Sequence, residues 1–190
     1  MRGCKVFIFS VALLCFASVS YAGFVGNSVT SQYYAYGGVY SLYGSPATFV
    51  ANGTVQQTFC AGCGEGFNLI VRDNQIEYDF LYDGFWSPSG TSLNSNGLFI
   101  ANGNLITSTS VTIIGVTVDA ATTLGGFGSG NVTFNSNNVA IDWANFQDIV
   151  AGDKVVLNVT FSGTQVPEPT AMLLLGLGLA GLAGMRKFKK

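Results

Sequence analysis

Residues 75–82 largely alternate apolar and polar side chains. Ile76, Tyr78, Phe80 and Tyr82 fall on one face, with Gln75, Glu77 and Asp79 on the other. A period of two predicts a half-buried strand. The same alternation recurs at 154–161, where Val155, Leu157, Val159 and Phe161 share a face. Residues 110–118 are rich in Val, Ile and Thr and predict a more buried strand. Shorter runs of the same kind lie at 32–36, 38–43, 47–51, 54–59, 67–71, 97–101, 104–107, 131–134 and 138–142. Turn dipeptides such as Asn52-Gly53, Asp83-Gly84 and Asn102-Gly103 separate them. Asn102-Gly103, set between apolar runs, is the expected tight hairpin. The glycine-rich stretch 125–130 is expected to form a flexible hairpin tip. The one helical hint, 143–149, predicts a single turn or none. About 12 short strands with no long helix point to an all-β fold, an antiparallel β-sandwich.

The two ends follow a different pattern. Arg2 and Lys5 precede an apolar stretch from Val6 to Val19, and Ser20-Tyr21-Ala22 places small residues where a signal peptidase accepts them. Residues 1–22 are therefore expected to be a signal peptide cleaved after Ala22. At the other end, Pro167-Glu168-Pro169 forms a stiff, non-helical step. The stretch from Ala171 to Met185 has no charge and would rise about 23 Å as a helix, against a hydrocarbon core of about 30 Å. Arg186, Lys187, Lys189 and Lys190 follow as a basic membrane stop. The positive-inside rule keeps such a cluster cytoplasmic, so the middle of the chain is expected to lie across the membrane. This gives a 1–22 signal, an exported 23–166 domain, and a 167–190 tail with a transmembrane helix.

The order of the tail, a Pro-Glu-Pro step, a Gly- and Leu-rich apolar helix and a terminal basic cluster, resembles the PEP-CTERM sorting signal of exported bacterial proteins. The resemblance covers only the tail. It implies a Gram-negative source, recognition by an exosortase and removal of the tail near the motif. It also implies a role in extracellular polysaccharide, biofilm or floc matrix.

Composition sharpens the picture of the middle. The whole chain has a net charge of −2, but six of its eight basic residues lie in the two end segments. Residues 23–166 keep only Arg72 and Lys154 against nine acids, a net charge of −7. Such a domain lacks the basic face a nucleic-acid binder needs. Histidine is absent, which removes Ser-His-Asp and Cys-His catalysis and most zinc sites. No cofactor or catalytic residue is indicated, and an enzyme is not expected.

Three constellations merit weighing. Cys60 and Cys63 are the only thiols between the two end segments. In an exported protein they read as a disulfide; a redox site would need Cys60 to open a helix, and a strand follows instead. Glu77, Asp79 and Asp83 share a strand parity beside Asp73. They read as a wet strand face, with calcium binding or glycoside hydrolysis as sharper alternatives. Tyr33, Tyr34, Tyr36, Tyr40 and Tyr43, with Phe85-Trp86, are dense enough to stack on sugars, as carbohydrate-binding modules do, or to serve as ordinary strand and core residues. The expected partners are signal peptidase, exosortase, the membrane through the C-terminal helix and extracellular polysaccharide. The expected role is a surface or matrix interaction protein, with a carbohydrate-binding module, with or without calcium, as the alternative.

Overall fold

The structure, a computed structural model, describes residues 23–62, 66–88, 92–93 and 96–163. Its strands are β1 (Ser28–Ala35), β2 (Gly38–Tyr40), β3 (Ala47–Val50), β4 (Val55–Phe59), β5 (Phe67–Val71), β6 (Gln75–Phe80), β7 (Ser92–Leu93), β8 (Phe99–Ile100), β9 (Gly103–Thr107), β10 (Ile113–Val118), β11 (Val132–Phe134), β12 (Asn138–Asp142) and β13 (Lys154–Phe161). The all-β expectation holds. Two antiparallel sheets carry the fold, one ordered β11-β12-β9-β1-β2 and the other β10-β13-β6-β5-β4. β1 is long enough to serve two partners in turn. Its first half, from Ser28 to Ser31, pairs with β3, and its second half, from Tyr33 to Ala35, pairs with β2.

The alternation read in the sequence decides which face is inside. Ile76, Tyr78 and Phe80 on β6, and Val155, Leu157 and Val159 on β13, are buried between the sheets. Trp143 follows β12 and is fully enclosed. Its ring meets Tyr78 at 4.9 Å, Phe80 at 5.5 Å and Phe67 at 6.3 Å. One polar bridge crosses the core: the Asn104 amide donates to the Tyr78 hydroxyl at 3.1 Å and to Ser31 at 3.0 Å. Burial pushes the Tyr78 phenol far above its ordinary value, so it stays neutral.

Four local expectations need correction. The strand read over 110–118 as a more buried one starts at Ile113, lies at the edge of its sheet and is mostly half-buried or exposed. Asn102-Gly103 does not close a hairpin, because β8 pairs with β7 while β9 pairs with β1 and β12. The Asp142 carboxylate accepts the backbone N–H groups of Ala101 and Asn102, so these donors do not need a facing strand. At Gly103 a Cβ would lie 1.9 Å from the Ile141 carbonyl oxygen, so the glycine serves close strand approach. The stretch 125–130 is not a hairpin tip either. β10 and β11 belong to different sheets, and the connection between them is anchored by buried Leu124 and Phe127. The strand read over 75–82 ends at Phe80, and Tyr82 lies beyond it. Residues 143–149 form no helix; they run beside 84–86, with Trp86 N–H donating to Phe146 O at 2.7 Å and Asn145 N–H to Trp86 O at 3.0 Å.

Candidate functional site: an aromatic cleft

β1 and β2 are joined by Tyr36-Gly37, with φ of 54° and 85°. Positive φ at both central residues marks a type I′ hairpin turn, for which Asn-Gly is the favoured pair. The device recurs seven residues later. Tyr43 and Gly44 have φ of 56° and 87°, and Ser45 N–H closes the turn on Leu42 O at 3.1 Å. A bulky side chain in this region is disfavoured by about 1–2 kcal/mol. Both turns nevertheless carry tyrosine, and both rings are exposed, Tyr36 at 72% and Tyr43 at 50%.

The second turn is clamped from two sides. Ser45 Oγ accepts Tyr33 N–H at 2.7 Å and the Gln32 amide at 3.0 Å, which ties the turn to β1. From the other sheet, the Gln57 amide donates to Gly44 O at 2.6 Å, and Cys60 N–H donates to Tyr43 O at 3.2 Å. Cys60 also has a left-handed backbone, with φ of 57°. Four non-glycine residues with positive φ occur among the described residues, and three of them line one cleft. Outliers of this kind collect at functional sites.

The cleft has a volume of about 230 Å³. Tyr36, Tyr40 and Tyr43 form one wall, their rings spaced 6.0 and 6.1 Å apart. Phe85, 52% exposed, stands on the segment held against 145–149. Phe59, Tyr33 and Trp86 form the floor. Phe59 stacks on Tyr33 at 4.3 Å and on Phe67 at 5.2 Å, so the aromatic series runs unbroken from the core to solvent. The polar atoms of the floor bond to one another. Trp86 Nε1–H donates to the Tyr33 hydroxyl, which donates to Asn102 Oδ1 at 2.6 Å; Asn102 Nδ2 donates to Ser87 O at 3.1 Å. No Asp, Glu, Lys or Arg lines the cleft among the described residues.

The aromatic cluster read from the sequence is therefore divided. Tyr36, Tyr40, Tyr43, Phe85 and Trp86 converge with Tyr33 on the cleft. Tyr34, one residue on from Tyr33, points to the opposite face of its sheet and packs with Ile100, Leu105 and Ala140. The signal that sequence reading missed is the repeated Tyr-Gly dipeptide, a turn written with an unusual first residue.

The acidic group does not converge. Glu77 is buried on the outer face of its sheet and takes both cations, Arg72 through its guanidinium and Lys154 at 3.1 Å. Burial pushes the Glu77 carboxyl up, but the hydrogen bonds and charges of Arg72 and Lys154 outweigh this and hold it below its ordinary value. Asp79 is half-buried on the same strand. Asp83 lies beyond β6 and accepts Ala151 N–H at 2.8 Å. The wet-face reading thus misplaces Glu77, whose neighbours Ile70 and Val156 on the flanking strands help cover it. Among the described residues no group of three His, Cys, Asp or Glu side chains could hold a metal ion.

Cys60 lies at the end of β4, and its expected partner Cys63 lies outside the described residues. So do the signal segment 1–22, the Pro167-Glu168-Pro169 step, the apolar tail helix and the basic stop from Arg186 to Lys190. No helix of the described residues is long and apolar enough to cross a membrane.

Comparison with known proteins bears on the tail. Residues 165–187 match the PEP-CTERM protein-sorting motif. No curated protein and no solved structure matches the chain. The chain thus carries a PEP-CTERM sorting motif at its C-terminal tail, which supports an exosortase-sorted, exported protein.

Proposed function

We propose that this protein is a glycan-binding component of an extracellular polysaccharide or biofilm matrix. The first 22 residues direct export and are removed by signal peptidase. The tail anchors the precursor in the membrane until exosortase cuts near Pro167-Glu168-Pro169 and frees the β domain for the cell surface. The domain binds without catalysis, through the aromatic cleft. A disulfide between Cys60 and Cys63 would pin the end of β4, next to the Tyr43 turn.

The observation that carries the binding reading is the pair of Tyr-Gly turns. Each places an exposed ring on the cleft at the expense of backbone stability, where asparagine would satisfy the turn better. Flat aromatic faces suit the C–H faces of sugars, and the acidic domain has no cationic surface for nucleic acid.

Retention of the full-length chain on insoluble polysaccharides tests the binding. Wild type should be retained by at least one neutral polysaccharide, and Tyr36→Asn/Tyr43→Asn should pass through. Equal retention of both would remove the cleft from the reading. Intact mass of the protein exported by a host with an exosortase tests the sorting: a species lacking 1–22 and the tail beyond the motif is expected, and a full-length C-terminus outside the cell counts against it.

A further inference from the structure

Resting on the glycan-binding reading above, we infer that the cleft takes one uncharged sugar ring, as found at a chain end or branch, and not an extended or anionic segment of polysaccharide. Size is the first argument. At about 230 Å³ the cleft falls below the roughly 300–1,000 Å³ of sites that engulf a drug-sized ligand. The enclosed part of the cleft, lined by Tyr36, Tyr40, Tyr43 and Phe85 over Phe59 and Trp86, is of the size of one ring.

Charge is the second argument. A carboxylate brought into the cleft would lose water and need a cation in return. None lines the site among the described residues. Arg72 and Lys154, the only cations of residues 23–166, are both bonded to Glu77. Arg72 follows β5 at the end opposite Phe67, the residue that pairs with Phe59 beneath the cleft. Uronic acids and sulfated sugars therefore meet an uncompensated desolvation penalty, within a domain whose net charge of −7 already repels them.

The hydrogen-bond chain of the floor is the third. Trp86, Tyr33 and Asn102 direct donors to one another and to Ser87. With the floor so engaged, recognition falls on the ring faces and hydroxyls of the exposed Tyr36 and Tyr43, which predicts tolerance among neutral hexoses.

The test uses the full-length chain in a detergent without a sugar headgroup, at about 0.5 M salt, where long-range repulsion is screened to a few Å. Saturation-transfer NMR and titration compare the methyl glycosides of glucose, galactose and mannose with their uronic acids, a neutral tetrasaccharide and tetramethylammonium. At least one neutral monosaccharide should bind through its ring C–H face. Its uronic acid should bind about tenfold more weakly or worse. Lengthening to the tetrasaccharide should improve affinity by less than about threefold once end-group number is counted. Tyr36→Asn/Tyr43→Asn should abolish the signal while the fold is retained by circular dichroism. A uronic acid binding as well as its neutral parent overturns the inference and leaves glycan binding intact, as does affinity rising steeply with chain length. Tetramethylammonium binding tighter than every sugar overturns it in favour of an aromatic cation cage. Absence of binding to every sugar and polysaccharide overturns the glycan-binding reading itself.

Discussion

The two regions that set the character of this β-sandwich invert the usual placement of residue types. At the cleft, Tyr36, Tyr43 and Phe85 expose large rings to water, and two of them do so from a left-handed backbone. On the outer face of the second sheet, Glu77 is buried and draws Arg72 and Lys154 onto itself. Apolar surface is exposed at the cleft, and charge is covered on the outer face of the second sheet. The contrast also separates two opposite effects on stability. The ion triad stabilises the sheet it sits on, whereas the turns of the cleft act against fold stability.

The strongest test of the contrast removes what the cleft shares with the core. Phe67 touches Phe59, Tyr33, Tyr78, Phe80 and Trp143. Phe67→Ala should lower unfolding free energy by about 3–5 kcal/mol in a denaturant titration. A loss below about 1 kcal/mol would mean that the aromatic series is not continuous with the core. Next comes the cleft alone. Tyr36→Asn/Tyr43→Asn should weaken glycan binding by more than about tenfold, from the loss of two stacking faces. The same variant should gain about 0.5–1 kcal/mol of stability per site as turn strain is relieved. Loss of both stability and binding would show that the rings serve packing instead.

The ion triad is expected to respond to smaller changes. Glu77→Gln should cost about 1–2 kcal/mol, because both cations are two-fifths exposed and their pairing is screened. Glycan affinity should not change, and a parallel drop in affinity would break the separation of the two regions. The pH dependence is smaller still. Because the Glu77 carboxyl is held below its ordinary 4.5, its contribution is complete above that pH and is lost as pH falls through the lower folded-state value. Lys154 is raised above its ordinary 10.5, chiefly by its hydrogen bond to Glu77. Its contribution is complete below 10.5 and is lost as pH climbs through the raised value. Thermal melts across pH should fall off at both extremes, and Glu77→Gln should flatten each limb. Asp119, held low by Ala121 N–H and Asn158, leaves part of the acid limb in place.

The sequence alone determined the all-β class, most strand positions and the inward faces of β6 and β13, because a period of two is a local property that burial simply follows. It also determined the sorting tail, whose order of residue types is itself the signal. Tertiary structure decided the rest. Tyr33 and Tyr34 are neighbours in sequence, yet the pleat sends one to the cleft and the other to the opposite face. Glu77 reads as a solvated acid until β5 and β13 close over it and bring Arg72 and Lys154 within reach. The cleft itself joins residues from 33 to 102, and no local pattern brings them together. Only the pairing of β1 with β2, the clamp from β4 and the run of 84–86 along 145–149 turn scattered aromatics into one site.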